Sequence, residues 1–391
     1  MNADDIMERV RELGPYLRDQ APEAEALGRL PEATAKQLKQ AGVVRLLQPK
    51  RFGGCEADPA TFFEAVMSIG SNCGASGWVS GIVGVHPWEL GLFDEKAQED
   101  VWGDDVDTWV CSSYMPTGRA RAVPGGFELR GRWSFSSGCD LADWVFLGGV
   151  LVDDDGRPSD PPDTLHFLLP KGDFTIVDGS WEVVGLSGTG SKDVTVDGVF
   201  VPAYRTLRST QINDGTAPGV HPGLAPGFKM PWSCIFPGAI TSAVIGIAEG
   251  ALREAVAYQK DRVSFRQGAI ADSAVVMSLL GTAASDIESA HLQFVSNVQR
   301  MFALVSRGET VPLSMRSDGR RDQVRASWRA VRAVDDLFDH AGGGALRRTA
   351  PLQRFWRDAH AGLHHVINTV DKSFHSWSLV AMGLEPVDWM V

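Results

Sequence analysis

The sequence is poor in the features that mark the commonest binding and targeting classes. Its five cysteines, Cys55, Cys73, Cys111, Cys139 and Cys234, are odd in number and form no C-x-x-C pair. That excludes the usual zinc-ligand spacing and suits a reducing compartment. Positive charge is in deficit, with 37 Lys and Arg against 49 Asp and Glu and a net charge of −12. No basic stripe is present for a nucleic acid. No apolar run approaches the ~18–20 residues of a membrane span. The first ten residues are acidic and amphipathic, without the basic and apolar regions of a signal peptide. The G-x-S-x-G elbow, a G-x-G-x-x-G after a strand and G-x-x-x-x-G-K-[ST] are all missing, which argues against that type of hydrolase, a Rossmann site and a P-loop. A soluble cytoplasmic protein is expected, with no nucleic acid and no membrane as partner.

What is present divides into three textures. Over 391 residues, 44% hydrophobic, the chain can bury more than a single core usually holds. Residues 1–108 read as helices. Ile6, Val10, Leu13 and Leu17 make one apolar stripe, and Pro31 and Asp58-Pro59 mark helix starts. The segment from Cys73 to Trp88 is apolar and unusually rich in glycine. It suits close packing against another backbone or against a flat ligand. His86, inside it, is either a satisfied buried histidine or a pocket wall. Residues 109–207 read as short strands with regular turns, a small antiparallel barrel or sandwich. Residues 208–232, rich in Gly and Pro, read as a connecting loop or lid. Residues 233–391 read as a four-helix bundle, with helices expected at 239–266, 271–307, 321–340 and 351–379.

The last of these helices is dense in titratable groups. Pro351 suits a first helical turn, and a single helix is expected through Val366. Arg354, Asp358 and His365 fall near one face, with Arg357, His360 and His364 near another. Four of the nine histidines lie from His360 to His375, and imidazole is the side chain best suited to moving protons near neutral pH. His360 and His364 are four apart but lack a third ligand and the Glu of H-E-x-x-H, so no metal is expected.

The order of helical domain, small β domain and four-helix bundle resembles the acyl-CoA dehydrogenase fold. Val110-Cys-Ser-Ser113-Tyr114 resembles the first flavin strand of that family, and Trp133-Ser-Phe135-Ser136-Ser137-Gly138 the second. The resemblance implies that Ser113 and Tyr114 bond the flavin ring, that Ser136 lies at the cofactor, that Ser137 faces flavin N5 and that Phe135 covers the ring. Arg262-Val-Ser-Phe265 resembles the start of a bundle helix that reaches a neighbouring subunit's cofactor. Gly342-Gly343-Gly344 resembles the turn near cofactor phosphate, which brings in Gly343 and Gly344. In many dehydrogenases the catalytic Glu that follows Arg-x-x-Arg-Asp falls where Val366 stands here, and valine takes no proton.

Trp356-Arg357-Asp358-x-His360 followed by His365 resembles instead the flavin-dependent monooxygenases of this fold, the oxygenase halves of two-component systems. Leu47-Gln48-Pro49, Gly77-Trp78-Val79-Ser80, the run from Trp133 to Asp140, Gly188-Thr-Gly-Ser191 and the run from Gln353 to Gly362 are similar to the secosteroid-hydroxylating branch. That branch carries Arg where Leu363 stands and a carboxylate near Thr369, so the resemblance speaks for the reaction class more than for the steroid.

It implies reduced FMN (FMNH2), or FAD in its place, with O2 as co-substrate. Through a C4a-hydroperoxyflavin, a phenolic or polycyclic aromatic ring would be hydroxylated. A separate NAD(P)H-dependent flavin reductase and a homotetramer are also implied. His365 would be the acid/base, with Ser137, His86 and Tyr114 beside it. Trp78, His86, Leu363 and Thr369 would line the substrate pocket. An N- or S-oxygenase of the same fold and an acyl-CoA dehydrogenase are the alternatives.

Overall fold

The computed structural model describes residues 2–260, 262–264, 268–388 and 390–391. The chain begins with α1 (Ala3–Glu12), α2 (Gly14–Leu27), α3 (Glu32–Ala41), α4 (Pro59–Gly70), α5 (Gly74–Leu90) and α6 (Glu95–Trp102). Local chemistry sets several of these ends. Asn2 and Asp5 form a capping box at α1, and Asp58 accepts from the Ala60 N–H ahead of Pro59. The expected first stripe is cut in two after Leu13. Pro15 has no N–H to continue α1 and opens α2 instead.

The strands are β1 (Val110–Val123), β2 (Gly126–Ser136), β3 (Trp144–Val152), β4 (Thr164–Pro170), β5 (Thr175–Ile176), β6 (Lys192–Pro202) and β7 (Thr206–Arg208). They form one seven-stranded sheet in the order β5-β6-β2-β1-β3-β4-β7. This differs from the expected antiparallel barrel in two ways. β1 and β3 run parallel, because β2 turns back on the far side of β1. Among the described residues no pairing joins β5 to β7.

The expected loose connection is not loose. It contains α7 (Ser209–Asp214), and it packs on the end of α5, where the Trp88 indole N–H donates to Gly227 O at 2.8 Å and Gly219 N–H to Leu92 O at 2.8 Å. Ala217, Phe228 and Met230 are buried by it.

Then come α8 (Trp232–Lys260), the short pair β8 (Val263–Ser264) and β9 (Gly268–Ala269), α9 (Ala274–Ser306), α10 (Leu313–Asp339), α11 (Pro351–Leu363) and α12 (Val370–Ala381). α8 is long and apolar enough to cross a membrane, with a mean hydropathy of 1.6 in its best window, which corrects the reading of the apolar runs. It is instead the buried core helix, packed against α4, α5, α9, α10 and α11.

The single helix expected from Pro351 onward is two helices. Between them the carbonyls of Ile367 and Asn368 accept from Arg320 Nη2 at 2.6 Å and Trp328 Nε1 at 2.9 Å. Side chains of α10 thus capture backbone that would otherwise have joined α11 to α12.

Candidate active site

α5 is buried from end to end. Two of its glycines face other backbones: a Cβ at Gly77 would overlap Gly70 of α4, and one at Gly81 would crowd Ala239 of α8, while Gly74 and Gly84 leave room for the side chains of Asp358 and Phe62. The small residues therefore serve helix packing. Trp78, Ile82, His86 and Glu89, at spacings of four, four and three, share a different face of the helix. From Trp78 to His86 that face runs ~12 Å.

The Trp78 end meets a distorted strand end. The β2–β6 register shifts between Trp133 and Ser136, and Phe135 sits in the left-handed region at φ 68°, costly for a residue with a side chain. The result is that Phe135 is 70% exposed, its ring edge-on to Trp181 at 6.1 Å between centroids. Ser136 turns inward with its hydroxyl on Cys111 Sγ at 3.5 Å. Its side chain therefore faces the core, which leaves only its backbone to lie at a cofactor.

Ser137 is buried, accepts from Trp78 Nε1 at 3.1 Å and lies 2.7 Å from the Ser191 hydroxyl. Ser191 lies 2.7 Å from Thr189 Oγ1, and Thr189 donates to Leu186 O at 2.7 Å. A carbonyl only accepts, so the chain of protons runs Ser137 to Ser191 to Thr189 to Leu186 O. The Ser137 hydroxyl has spent its proton and offers only a lone pair.

His365 stands on the other side of Trp78, ring centroids 5.9 Å apart. Its Nδ1 accepts from Ile367 N–H at 3.3 Å, so in the neutral ring Nε2 carries the proton. Burial, then the nearby Arg320 guanidinium, lower its pKa to about 4. Its loop is held by the buried Arg320, which pairs with Asp388 at 3.4 Å, and by Asn368, whose amide donates to Gly362 O at 3.1 Å. Leu363 is buried at the end of α11. Thr369 is exposed and turns its hydroxyl back onto Val366 O at 2.8 Å, so it does not join this cluster through its hydroxyl.

At the other end of the α5 face, His86 is fully buried and its Nδ1 lies 2.5 Å from Val110 O. Burial lowers its pKa to about 4, so it is neutral near pH 7. The Tyr114 hydroxyl donates to Glu89 Oε2 at 2.6 Å, and Glu89 Oε1 lies 2.6 Å from His166 Nδ1. Burial works to raise the Glu89 pKa, but His166 and Tyr114 outweigh it and the net shift is downward. Tyr114 is pushed well above its usual range by burial and by Glu89. The rings of Phe146, Phe236 and Tyr114 surround His86.

Glu89 and His166 escaped the sequence reading. Their one signal is a lone carboxylate in an apolar helix and a lone histidine in the apolar strand β4.

Ser113 is on β1, its hydroxyl on Ser134 O at 2.8 Å. Arg262 and the glycine turn meet each other: its Nη1 donates to His340 O at 2.8 Å, and a Cβ at Gly342 would overlap its guanidinium. Gly343 has open space beside it and Gly344 faces the Tyr258 hydroxyl. Phe265 lies outside the described residues.

The dense polar face of α11 is mostly structural. Asp358 accepts from Leu186 N–H at 2.6 Å, Arg357 from the same helix holds Val184 O at 2.7 Å and Glu25 at 2.5 Å, and His360 pairs with Asp335 at 2.6 Å.

The family "Acyl-CoA dehydrogenase, C-terminal domain" matches residues 239–369. The chain is 45% identical to a flavin-dependent monooxygenase, oxygenase subunit HsaA, of Rhodococcus jostii, over 98% of this chain and 100% of that one. It is 32% identical to the oxygenase component of an FADH(2)-dependent resorcinol hydroxylase of a Rhizobium species, over 97% and 95%. The crystal structure of a 3-HSA hydroxylase from Rhodococcus sp. RHA1 superposes with a TM-score of 0.95 at 44% identity, covering 99% of each chain.

Proposed function

The chain belongs to the oxygenase subunits of the flavin-dependent monooxygenases, built on an acyl-CoA dehydrogenase-like framework, and from that premise we propose that it hydroxylates a phenolic or polycyclic aromatic ring. Reduced flavin, when bound, would supply the two electrons that activate O2, one atom of which goes to the ring and the other to water. The observation that carries the reading is the proton order at Ser137. Its hydroxyl is left as an acceptor, and the N5–H of a reduced flavin is a donor. Phe135, exposed beside Trp181, offers an aromatic face for a flat ring. These residues fit a reduced flavin.

Within the site Ser137 holds the N5 edge and Trp78 walls the ring. His365 is the acid/base of this reading; neutral at operating pH through its lowered pKa, it presents Nε2–H to the reacting groups as a donor. Ser113 and Tyr114 lie on the flavin strand, and His86 and Tyr114 hold the substrate hydroxyl. FMN is the expected form, with FAD as the other candidate. Arg262, Gly343 and Gly344 would meet the phosphate end of a cofactor in a homotetramer. The electrons come from a separate NAD(P)H-dependent reductase, in the cytoplasm.

The test is to supply reduced FMN from a reductase, add O2 and a panel of phenols, and measure hydroxylated product per O2 consumed. Product at more than half of the O2 consumed is expected for at least one phenol. Quantitative release of hydrogen peroxide with every phenol, or reduction of bound flavin by an acyl-CoA, would overturn the reading.

A further inference from the structure

The segment that follows α12 turns back into the interior. Met382, Leu384 and Val387 are exposed, but Asp388, Met390 and Val391 are buried. Ser376 of α12 seats this tail, its hydroxyl accepting from Val387 N–H at 3.1 Å and Asp388 N–H at 2.7 Å. The Asp388 carboxylate points inward. Its Oδ1 accepts from Met390 N–H at 3.1 Å, and its Oδ2 accepts from Ser373 Oγ at 3.3 Å and from Arg320 Nε at 3.4 Å. Both ionic side chains are 2% exposed, and Asp388 is the one ion-pair partner of Arg320 among the described residues. A guanidinium this dry depends on its counter-charge.

Arg320 reaches the site through one residue. Its Nη2 donates to Ile367 O at 2.6 Å, and the N–H of that same Ile367 donates to His365 Nδ1 at 3.3 Å. The latter is the one hydrogen bond to the His365 ring among the described residues, and it decides which ring nitrogen bears the proton. The neutral bonds of the turn lie elsewhere, at Asn368 O and Gly362 O. Resting on the reading of His365 as the acid/base, we infer that the tail belongs to the machinery of the site. Asp388 and Arg320 are positioning residues that fix the orientation and tautomer of His365 through Ile367. If the tail leaves, Arg320 loses its counter-charge and Ile367 is released. The His365 ring is then free to turn and to carry its proton on either nitrogen.

The test is amide hydrogen exchange of the full-length protein, read by mass spectrometry on peptides covering 363–369, in the wild type, Asp388→Asn and Asp388→Glu. The Asn variant keeps the shape and loses the charge. Exchange over 363–369 should speed up about tenfold or more in Asp388→Asn while α5 is unchanged, and Asp388→Glu should recover most of the protection. Product formed from reduced FMN, O2 and a phenol should fall about 10- to 100-fold in Asp388→Asn. In a His365→Ala background the same substitution should cost less than about twofold more, because residues acting through one ring do not add. Unchanged exchange over 363–369, uniform acceleration throughout the bundle, or an equal loss of product with and without His365 overturns the inference. Exchange needs neither flavin nor substrate, so it decides even where no phenol is turned over. If Asp388→Asn fails to fold, Ser376→Ala, which loosens the tail and spares the ion pair, decides by the same pattern at about threefold. Faster exchange in Asp388→Asn with full product in His365→Ala would sink the acid/base reading and leave the tail's hold on the ring standing. Lost product in His365→Ala with unchanged exchange in Asp388→Asn would do the reverse.

Discussion

Glu89 on α5 and Asp358 on α11 are both buried carboxylates, yet their proton affinities move in opposite directions. Asp358 is raised to about 6 by burial, since one backbone N–H from Leu186 is its hydrogen-bond donor and Arg357 and Arg354 are turned toward Glu25. Glu89 is equally dry, but it receives Tyr114 and His166 at 2.6 Å each and its shift is downward. Burial alone therefore does not decide the charge state; the number and kind of donors around the group do. The consequence for function follows. The ionised Glu89 can dictate the hydrogen-bond sense of its neighbours inside the site. Asp358 pins the 184–191 loop, and with it Thr189 and Ser191 behind Ser137.

The comparison breaks most visibly at His365, which α11 only delivers. His365→Ala should leave flavin binding intact and lower product formation by about 10²- to 10⁴-fold, with O2 diverted to peroxide. Full coupling in that variant would remove His365 from the mechanism. Next in size, Glu89→Ala should destabilise the fold by about 3–5 kcal/mol in urea titration, because it strands partners ordered around a buried charge. A loss below about 1 kcal/mol would mean that the carboxylate is not ionised there.

The two helices should also tilt the pH–stability curve in opposite senses. His86 titrates at about 4 when folded against 6.5 when unfolded. Its contribution is present above pH 6.5 and lost as pH falls toward 4, about 3 kcal/mol in all. Asp358, at about 6 against 3.8, binds its proton more tightly when folded. Stability should then fall as pH rises from 3.8 to 6, again by about 3 kcal/mol. Asp358→Asn, which keeps an acceptor for Leu186 N–H, should remove the second slope and leave the first. His86→Phe should leave the second slope and only about halve the first, because His365 is shifted from 6.5 to about 4 as well. Identical curves for the two variants would erase the distinction. The smallest effect belongs to the part of α11 that looks most catalytic. His360→Ala loses a partly exposed pair with Asp335 and should cost at most about 1 kcal/mol, with turnover unchanged.

Much of this was legible in the residues themselves. Caps and periodicity foretold most helices, as at Asp58-Pro59 and in the stripe of α10. The strand motifs with Ser113, Tyr114 and Ser137, together with Trp78 and His365, pointed to the reaction class that full-length relatives bear out. The glycine stripe of α5 was ambiguous because a backbone and a flat ligand ask for the same small residues. Only the positions of Gly70 and Ala239 resolve it in favour of packing.

Local pattern determined most element types and the order of helical, β and helical regions, and the resemblance of its motifs pointed to the family. It could not determine which polar side chains work together, since hydrogen bonds between strangers in sequence leave no periodic trace. Glu89 and His166 stand 77 residues apart, Asp358 and Leu186 172 apart, and Arg320 and Ile367 47 apart. The break between α11 and α12 was decided there too, by α10 side chains taking carbonyls that a continuous helix would have used. The tertiary structure brings those groups into a dry interior, where each must find a donor or an acceptor. That requirement sets the protonation, the proton order and the hydrogen-bond sense of the site.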